Sequence, residues 1–473
     1  MINNHTTKKD GSLLKILEGT LYVLYVIGGF YLAFLIRFGL TPSQENTTPF
    51  IDSIPYIILV AILIFYFYNI VSTLRMSIFE NVIIIAISLA LIDIISIAIV
   101  FFNRGFAFPR SIFLLGFLMQ FILIFITKLV ILEILKTKDT KKDILVIASI
   151  VEAEQIAKGL LLDKYNPDKV KYISDIANKD TYELINFVDK IYIGNSVSNE
   201  NKLSILNYCV EKKKSIYLVP SLFEISLVGY KISQVGDLLT FKIDQLGLTF
   251  EQRIAKRIID ILGSLVGLIL LFPILIVVSI IIKLYDGGPI FFKQERITKN
   301  NKTFIIYKFR TMIVNAEAHT GPILATEKDP RITPLGRILR ASRIDEFPQL
   351  INVFIGDMSL VGPRPERPFF VEQYNQEIEG FKYRTFTKAG ITGLAQILGN
   401  YTTDPKIKAQ YDLLYIKNYS LLLDIKIILN TIKIMFLKDS SKGIAREQEL
   451  DEIIINLNLE AYEEMGATRL EHQ

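Results

Sequence analysis

The sequence predicts a membrane protein of the α + α/β class. We expect a four-helix transmembrane bundle, a Rossmann-like parallel α/β domain, and a second α/β domain anchored by a re-entrant helix. Three observations lead to this expectation. The 473-residue chain is too apolar for an ordinary soluble protein, with a mean hydropathy of +0.37. Long apolar stretches fill its first 140 residues, and another follows a segment in which short strand and helix patterns alternate.

The composition excludes several classes of protein. The net charge of +5 is small for this length, and no basic tract indicates binding to nucleic acid. The single cysteine, Cys209, excludes an internal disulfide, and the chain lacks the His/Cys clusters of a structural zinc site. A cation held by carboxylates remains open. Lysines precede the first apolar stretch and no small-residue cleavage site follows it, so we predict no removable signal peptide.

Residues 1–140 contain four apolar stretches, each about long enough to cross a hydrocarbon core of ~30 Å as a helix. These stretches are Leu17–Leu35, Ile54–Val71, Val82–Phe102 and Ile112–Leu132. Lysines at both ends of this region favour cytoplasmic ends, although Arg104 and Arg110 in the third loop weaken the bias. Asp93, inside the third stretch, is either a functional acid or a buried, hydrogen-bonded aspartate that faces another helix. We favour the second interpretation because nothing else in these stretches builds a polar pathway.

Residues 141–249 predict a parallel βαβ domain, because short β-branched runs alternate with helical segments. The predicted strands are Ile144–Ala148, Val170–Ile173, Lys190–Ile193 and Ser215–Val219. Dinucleotide-binding domains place a glycine-rich turn after the first strand, but the turn Ala148–Val151 contains no glycine. We therefore favour interaction or regulation over cofactor binding. The segment Leu222–Thr249 is predicted to be a linker with some extended structure.

The apolar segment Ile258–Leu284 allows two interpretations. Its length fits a fifth transmembrane helix, but that would move the Lys/Arg-rich region after it across the membrane, against the positive-inside bias. The alternative is a re-entrant helix over residues 256–284, broken at Pro273. This proline removes one backbone N–H and frees the carbonyl of Ile269. Both ends of the segment could then face the cytoplasm, and the charge distribution favours this alternative.

Asp345 and Glu346 are candidates for a reactive site. Pro348 is tolerated in the first turn of a helix, so the sequence predicts a helix that starts near Asp345. The N-terminus of a helix keeps nearby carboxylates ionised and can bind phosphate groups. An ionised aspartate beside a phosphate site is a candidate nucleophile. The alternative is ordinary helix capping by both residues.

Basic residues near these carboxylates could bind a diphosphate. Lys308 and Arg310 share one face of a predicted extended segment, and Arg364 lies between two prolines that restrict its backbone. Arginine forms paired bonds with phosphate oxygens, and lysine acts as a point charge. The alternatives are a solvated strand face for the first two residues and a turn arginine that pairs with Glu366.

Five motifs together resemble the bacterial sugar transferase family, the monotopic phosphoglycosyl transferases, also called polyprenyl-phosphate hexose-1-phosphate transferases. They are Lys308–Met312, Asp329–Thr333, Asp345–Gln349, Gly356–Pro365 and Lys388–Gly393. The motifs follow the order of the family, and the resemblance covers about Glu251 to Phe436. It implies a catalytic domain at residues 250–437, and the preceding regions look like the long form of the family. The family's re-entrant helix often has a serine before its proline, where this chain has Phe272.

The resemblance implies transfer of a sugar 1-phosphate from a UDP-sugar to undecaprenyl phosphate, a polyprenyl phosphate, with release of UMP. Asp345 matches the family nucleophile, which forms a covalent aspartyl phosphosugar, and Glu346 matches the carboxylate that holds Mg2+. Arg364 matches an active-site arginine. The resemblance also makes Gln396 a candidate for substrate contact and Asp424 a candidate for the nucleotide pocket.

The family also implies a place in the cell and in synthesis. We expect a multi-pass protein of the bacterial inner membrane, with its catalytic domain in the cytoplasm, that begins the membrane stage of exopolysaccharide, capsule or O-antigen synthesis. A homodimer is compatible with the sequence, although no sequence signal supports it. Residues 438–473 are predicted to be a charged C-terminal tail. The sequence does not distinguish glucose, galactose and an acetamido sugar.

Two other functions agree less well with the sequence. A membrane-bound nucleotide-sugar modifying enzyme would need a glycine-rich dinucleotide turn followed by a Tyr-x-x-x-Lys pair, and neither pattern occurs after Thr249. A transporter or non-enzymatic polysaccharide assembly scaffold would need polar residues along the apolar stretches. The Arg, Asp and Glu motifs instead concentrate in the last third of the chain.

Overall fold

The computed structural model of the chain describes residues 10–39, 44–71, 76–103, 110–136, 141–163, 166–176, 178–243, 246–314, 316, 329–399, 404–436 and 449–472. By its internal contacts the chain divides into two compact units, and each is considered by itself. The first unit contains residues 1–142 and 163–169, and the second contains residues 143–162 and 170–473.

Long apolar helices build the first unit, and they coincide with the apolar stretches of the sequence. In the described residues they are α1 (Asp10–Phe38), α2 (Gln44–Tyr68), α3 (Ile78–Phe102) and α4 (Arg110–Lys136). Helix α1 packs against α2 and α4, and α3 packs against the same two helices. Each helix is long and apolar enough to cross a membrane.

A polar cluster lies inside this unit. The Lys128 ammonium donates to Glu18 Oε1 at 3.0 Å and to the Ile70 carbonyl at 2.8 Å, and the Tyr22 hydroxyl donates to the same Glu18 oxygen. The sequence does not reveal this cluster, because its residues are far apart in the chain. Asp93 is buried, as expected. Within the described residues its Oδ1 has no hydrogen-bond partner, so the expected hydrogen bond is not found for that atom.

The second unit starts with the α/β domain, in which strands and helices alternate as predicted. Its first elements are β1 (Asp143–Ala148), α5 (Ile150–Leu162), β2 (Lys169–Asp175), α6 (Thr181–Asn186), β3 (Lys190–Ile193), α7 (Asn199–Glu211) and β4 (Ser215–Leu218). Strand β3 pairs in parallel with β1 and β4, which confirms the predicted arrangement for these strands. Successive β1 side chains enter opposite cores, with Leu145 on one face and Val146 on the other.

An acidic side chain lies at the end of the sheet where α/β domains bind nucleotides. The Glu152 carboxylate, in the first turn of α5, accepts hydrogen bonds from the N–H groups of Asn195 and Ser196, each at 2.8 Å. These residues follow β3, next to the carboxyl end of β1. Backbone N–H groups that could hold a phosphate are thus already bound to a carboxylate. Interaction or regulation, rather than cofactor binding, stays a prediction for this domain.

Short elements connect the α/β domain to the next apolar helix. Helix α8 (Leu222–Leu227) begins at Ser221 with a capping box, and the antiparallel strands β5 (Lys231–Val235) and β6 (Leu238–Lys242) form an exposed hairpin. The hairpin accounts for the extended structure that the sequence predicts in this linker.

Helix α9 (Phe250–Asp286) is the long apolar helix of the second unit. It begins at Thr249 with a capping box and ends at Gly287, which has a left-handed φ of 70°. The helix continues through Pro273, so the break expected at this proline does not divide it into two elements, and its re-entrant course stays a prediction. Leu270 and Phe272, near its middle, are exposed. The helix is long and apolar enough to cross a membrane by length and composition.

Both halves of α9 contact the domain that follows. Near the first end, Arg257 donates to the carbonyl oxygens of Val353 and Phe354 at 2.6 and 2.7 Å. Near the other end, Val278 and Ile282 share a buried cluster with residues of that domain. The charges at the start of α9 therefore make protein contacts, whereas the sequence presents them only as residues that flank an apolar segment.

Short elements form the rest of this domain. They are β7 (Phe291–Ile297), β8 (Thr303–Phe309), α10 (Pro334–Ala341), α11 (Gln349–Ile355), β9 (Ser359–Val361), α12 (Pro368–Glu377), β10 (Gly390–Thr392), α13 (Leu394–Leu398), α14 (Pro405–Lys417) and α15 (Leu421–Met435). Strands β7 and β8 pair antiparallel, and β8 corresponds to the predicted extended segment that contains Lys308. Strands β9 and β10 pair in parallel.

The end of the chain returns to the α/β domain. Helix α16 (Leu450–Asn456) precedes β11 (Leu459–Glu464) and β12 (Ala467–His472). The sheet order is β11-β12-β2-β1-β3-β4, and β12 pairs antiparallel with β2. The sequence predicts only a charged tail here, because charged residues on the hairpin obscure the alternation of its apolar ones. The described part of this tail is instead an integral part of the sheet.

Candidate active site

Asp345 and Glu346 lie in a tight turn between α10 and α11. One turn of 3-10 helix, Ile344–Glu346, contains both carboxylates, and α11 starts only at Gln349. The predicted helix start near Asp345 therefore differs from the structure, and the carboxylates precede the α-helix. Arg343, immediately before the turn, has a left-handed φ of 56°. Such a backbone is uncommon outside glycine and often occurs near functional sites.

Glu346 forms ion pairs with two basic residues from distant parts of the domain. The Lys308 ammonium donates to Oε1 of Glu346 at 2.7 Å, and the Arg364 guanidinium donates to the same oxygen at 3.1 Å. Burial opposes ionisation of Glu346, but the charges of Lys308 and Arg364 outweigh it and hold the pKa well below the usual range. Glu346 is therefore a permanent anion in the neutral pH range.

Asp345 has the opposite shift. Burial and the adjacent negative charge of Glu346 raise the pKa of Asp345 to about 6, although Lys308, Arg340 and Arg364 oppose the change. The sequence predicts that a helix end keeps both carboxylates ionised. In the structure Glu346 is held ionised, whereas Asp345 loses its charge more readily than an ordinary aspartate. Neighbouring carboxylates whose pKa values are pushed apart commonly have different roles in a site. Asp345 therefore takes up a proton at a higher pH than an ordinary aspartate, whereas Glu346 stays charged.

The structure places Arg310 with a different partner from Lys308. Its guanidinium pairs with Asp286, the last residue of α9, and is mostly buried. Strand β8 ends at Phe309, one residue earlier. In the structure Lys308 and Arg310 therefore bind different carboxylates, Glu346 and Asp286, respectively, and their contact with a diphosphate stays a prediction. Arg310 thus lies beside Asp286 at the C-terminal end of the apolar helix α9.

Asp424 and Gln396 have mainly internal contacts. The Asp424 carboxylate, 2% exposed, accepts from the Lys256 ammonium at 2.6 Å and from the Tyr415 hydroxyl at 2.7 Å. This contact connects α15 to α9, and the place of Asp424 in a nucleotide pocket stays a prediction. The Gln396 amide donates to the Ile391 carbonyl at 2.8 Å. Its contact with substrate stays a prediction.

Two arginines that the sequence analysis did not single out, the buried Arg384 and the half-buried Arg296, lie behind the Arg364 loop. Arg384 donates to the backbone carbonyl of Arg364 at 2.9 Å, and Asp412 accepts from Arg384. Arg296 donates to the carbonyl of Pro365 at 3.3 Å. Each arginine occurs alone in a segment of mixed polarity, so no spacing pattern distinguishes it in the sequence.

Comparisons with known proteins identify the family. Residues 251–438 match the family model described as Bacterial sugar transferase. The chain is 32% identical over 342 residues to the galactosyl transferase CpsE of Streptococcus agalactiae serotype III, covering 65% of this chain and 74% of that protein. It is 42% identical over 217 residues to a UDP-N-acetylgalactosamine-undecaprenyl-phosphate N-acetylgalactosaminephosphotransferase of Aeromonas hydrophila, covering 43% of this chain and 51% of that protein.

A third relative is a putative undecaprenyl-phosphate N-acetylgalactosaminyl 1-phosphate transferase of Bacillus subtilis. The two proteins are 48% identical over 129 residues, which is 27% of this chain and 72% of the relative. The chain spans about half the length of several other curated relatives, with 58% and 46% for two glucose-1-phosphate transferases. The matched region contains the carboxylate turn and its cations. The chain belongs to the bacterial sugar transferase family.

Proposed function

We propose that this protein transfers a sugar 1-phosphate from a UDP-sugar to undecaprenyl phosphate and releases UMP. The observation that carries the proposal is the contact of Glu346, next to Asp345, with Lys308 and Arg364. A carboxylate nucleophile would be repelled by two anionic substrates, so it needs cations close by. Relatives named as undecaprenyl-phosphate sugar phosphotransferases support these substrates.

Asp345 is the nucleophile in the proposed reaction. Its ionised carboxylate attacks the phosphorus that bears the sugar, and the bond from that phosphorus to the UMP oxygen breaks. UMP leaves, and the sugar phosphate stays on Asp345 as an acyl phosphate. A phosphate oxygen of undecaprenyl phosphate then attacks the same phosphorus and releases the Asp345 carboxylate. Dividing the transfer into two displacements is a common use of aspartate, and it keeps the two anionic substrates from meeting.

The cations have separate tasks in this proposal. The Lys308 side chain is 18% exposed and stays paired with Glu346, so it keeps that carboxylate ionised. The Arg364 side chain is 38% exposed, so it has room to bind a phosphate oxygen while it stays close to Glu346. Arg310 contributes to the shape of the site from the end of α9, through its pair with Asp286.

The carboxylates also fit a magnesium ion. The described residues contain no group of three or more His, Cys, Asp or Glu side chains arranged for a metal. Magnesium, however, is usually bound by one or two carboxylates together with substrate phosphates and water. Glu346 is the proposed ligand, since its low pKa keeps it ionised. When bound, Mg2+ would neutralise diphosphate charge and stabilise the leaving UMP.

We place this reaction at the cytoplasmic face of the bacterial inner membrane, with α9 as a re-entrant helix. A helix that crosses the membrane would separate its ends by a hydrocarbon core of about 30 Å. Contacts of both halves of α9 with one domain support a position of both ends on the same side. Exposed Leu270 and Phe272 near the middle suit insertion into lipid. The homodimer stays a prediction.

Cysteine labelling tests this topology. Asn300, in the turn between β7 and β8, is changed to cysteine in a Cys209→Ser background. In intact cells we expect a membrane-permeant maleimide to label this cysteine and an impermeant one not to label it. Ala107→Cys, in the loop predicted to be external, is the positive control for the impermeant reagent. Labelling at residue 300 from outside would show that α9 crosses the membrane, and the site would then be cut off from cytosolic UDP-sugars.

A panel of UDP-sugars tests the proposed activity itself. Purified protein in membrane is mixed with undecaprenyl phosphate, Mg2+ and UDP-glucose, UDP-galactose or their acetamido analogues, and UMP release is measured. We expect at least one sugar to give UMP together with a sugar diphosphate lipid, which would also identify the sugar. Lipid product that forms with release of UDP would instead indicate simple glycosyl transfer and would contradict the proposal.

A further inference from the structure

We infer that Arg384 and Arg296 are positioning residues that fix the backbone of the Arg364 loop, residues 362–366, so that the Arg364 side chain lies against Glu346. The inference rests on the proposed function in one respect, the contact of Arg364 with substrate. The placement of the loop itself follows from backbone contacts that can be measured without activity.

Consecutive backbone carbonyls of this loop each accept a hydrogen bond. The acceptor and donor pairs are Pro363 with Gly390 N–H at 2.9 Å, Arg364 with Arg384 at 2.9 Å, Pro365 with Arg296 at 3.3 Å, and Glu366 with Ile297 N–H at 2.9 Å. The prolines on both sides of Arg364 fix their own φ angles. The loop is thus held at the carbonyls of residues 363–366, and the two arginines supply the bonds closest to Arg364.

Arg384 is itself immobilised. Its Nη2 donates to the Arg364 carbonyl and lies 2.9 Å from the Asp412 carboxylate, and its Nε donates to Asp412 at 3.1 Å. The guanidinium carbon lies 4.8 Å from the centre of the Phe381 ring. Arg384 is 7% exposed and Asp412 is 1% exposed. A guanidinium can bind both partners in one plane, whereas a lysine ammonium cannot reproduce that fork. Arg384 therefore acts through the backbone of Arg364.

Arg296, in strand β7, binds the carbonyl of the next loop residue, Pro365. Its Nη1 donates to Pro365, and its Nη2 donates to the Gln294 side chain at 2.7 Å. Burial lowers the pKa of Arg296 to about 10, so the group is still charged at neutral pH. The Glu366 carboxylate lies 3.9 Å from Arg296 and 4.0 Å from Arg384. This carboxylate offsets the positive charge that the two arginines bring to the loop.

The effect on the site follows from charge. Arg364 donates to Oε1 of Glu346 at 3.1 Å, so the position of its loop sets the distance between these two charges. If the loop moves, Arg364 withdraws from Glu346 and from the substrate diphosphate. A hydrogen bond to a charged group contributes about 1.5–3 kcal/mol, which corresponds to roughly 10- to 100-fold in rate. We expect Arg384→Ala to slow UMP release by about that factor.

Hydrogen exchange tests the placement of the loop without reference to catalysis. The Gly390 and Ile297 amides donate to loop carbonyls, so they report whether the loop stays in place. Arg384→Ala should speed exchange in both peptides. Arg364→Ala is the matched control, because it removes a side chain and leaves the loop carbonyls bound. This variant should not speed exchange in either peptide. If the alanine variant does not fold, Arg384→Lys replaces it in the exchange measurement, because lysine keeps a charge beside Asp412. Exchange in β1 monitors the fold.

A double variant then links the loop to activity. If Arg384 acts through Arg364, Arg364→Ala with Arg384→Ala should be within about threefold of Arg364→Ala alone in UMP release. Multiplied losses would mean that Arg384 binds substrate itself and would overturn the inference, as would unchanged exchange at Gly390 and Ile297. A wild-type protein that releases no UMP would refute the proposed function, and the exchange data would still decide the position of the loop.

Discussion

Asp345→Asn should abolish the covalent step. With UDP-sugar and Mg2+ but no lipid acceptor, wild-type protein should release about one UMP per active site and carry the added phosphosugar mass on the peptide that contains Asp345. Asparagine keeps the shape of the side chain but cannot attack as an anion. We expect neither UMP nor modified peptide, a loss greater than the roughly 10²–10⁴-fold typical for removal of an acid or base.

The control for this variant is Asp404→Asn. Asp404 is an exposed N-cap of α14 in the same domain, and asparagine can also cap a helix. This variant should keep the UMP burst. Direct attack by the lipid phosphate leads to a different result, with no UMP and no modified peptide in wild-type protein until lipid is added. That result would remove Asp345 from the role of nucleophile and leave it as a residue of the turn.

Local patterns in the sequence predicted much of the fold. The bounds of β3 are those predicted, and the apolar stretches coincide with α1 to α4. Pairings between distant segments were not predictable in this way. Strand β12 joins β2 although nearly 300 residues separate Tyr172 from Arg469, its partner in the sheet. Charged residues interrupt both tail strands, so their apolar residues gave too weak a pattern to identify them.

The tail pairing has a consequence for the domains. The sequence suggests that the α/β domain is dispensable for chemistry, because the residues proposed to handle phosphate come after Glu251. In the structure, a chain that starts at Thr249 would leave β12 without β2. It would also remove the Pro220 carbonyl, to which Gln410 of α14 donates at 2.9 Å. Loss of activity after such a truncation would therefore report damage to the fold as well as any role of the domain.

The candidate site was predictable in its residue types and less so in its contacts. Motifs identified Asp345, Glu346, Lys308 and Arg364, which the structure brings together through Glu346. They also singled out Asp424, whose partners are internal, because a motif records which residues recur and not what they contact. The raised pKa of Asp345 depends on burial, which follows from packing of the whole domain and has no local pattern.

Glu346→Gln should shift the pH dependence of the UMP burst to lower pH. Asp345 must be ionised to attack, so the wild-type rate should fall on the acid side, where this carboxyl becomes protonated. Burial and the negative charge of Glu346 together raise this pKa. Glutamine removes the charge and releases Lys308 and Arg364 to act on Asp345, and both changes lower the pKa. The plateau rate should also fall, by about 10²–10³-fold, as for loss of a charge-stabilising group.

Lys308→Met should shift the pH dependence of the UMP burst in the opposite direction from Glu346→Gln. Lys308 lowers the pKa of Asp345, so its removal should shift the acid limb to higher pH. Rapid-quench measurement of UMP across the acidic to neutral range, at saturating Mg2+ and without lipid, compares both variants with wild type. Shifts in opposite directions would show that the fall in rate at acid pH reflects the ionisation of Asp345 within this cluster. Shifts in the same direction, or no shift, would mean that the fall in rate at acid pH reflects the ionisation of another group, such as the substrate phosphate. The Asp345–Glu346 pair would then not determine the pH dependence.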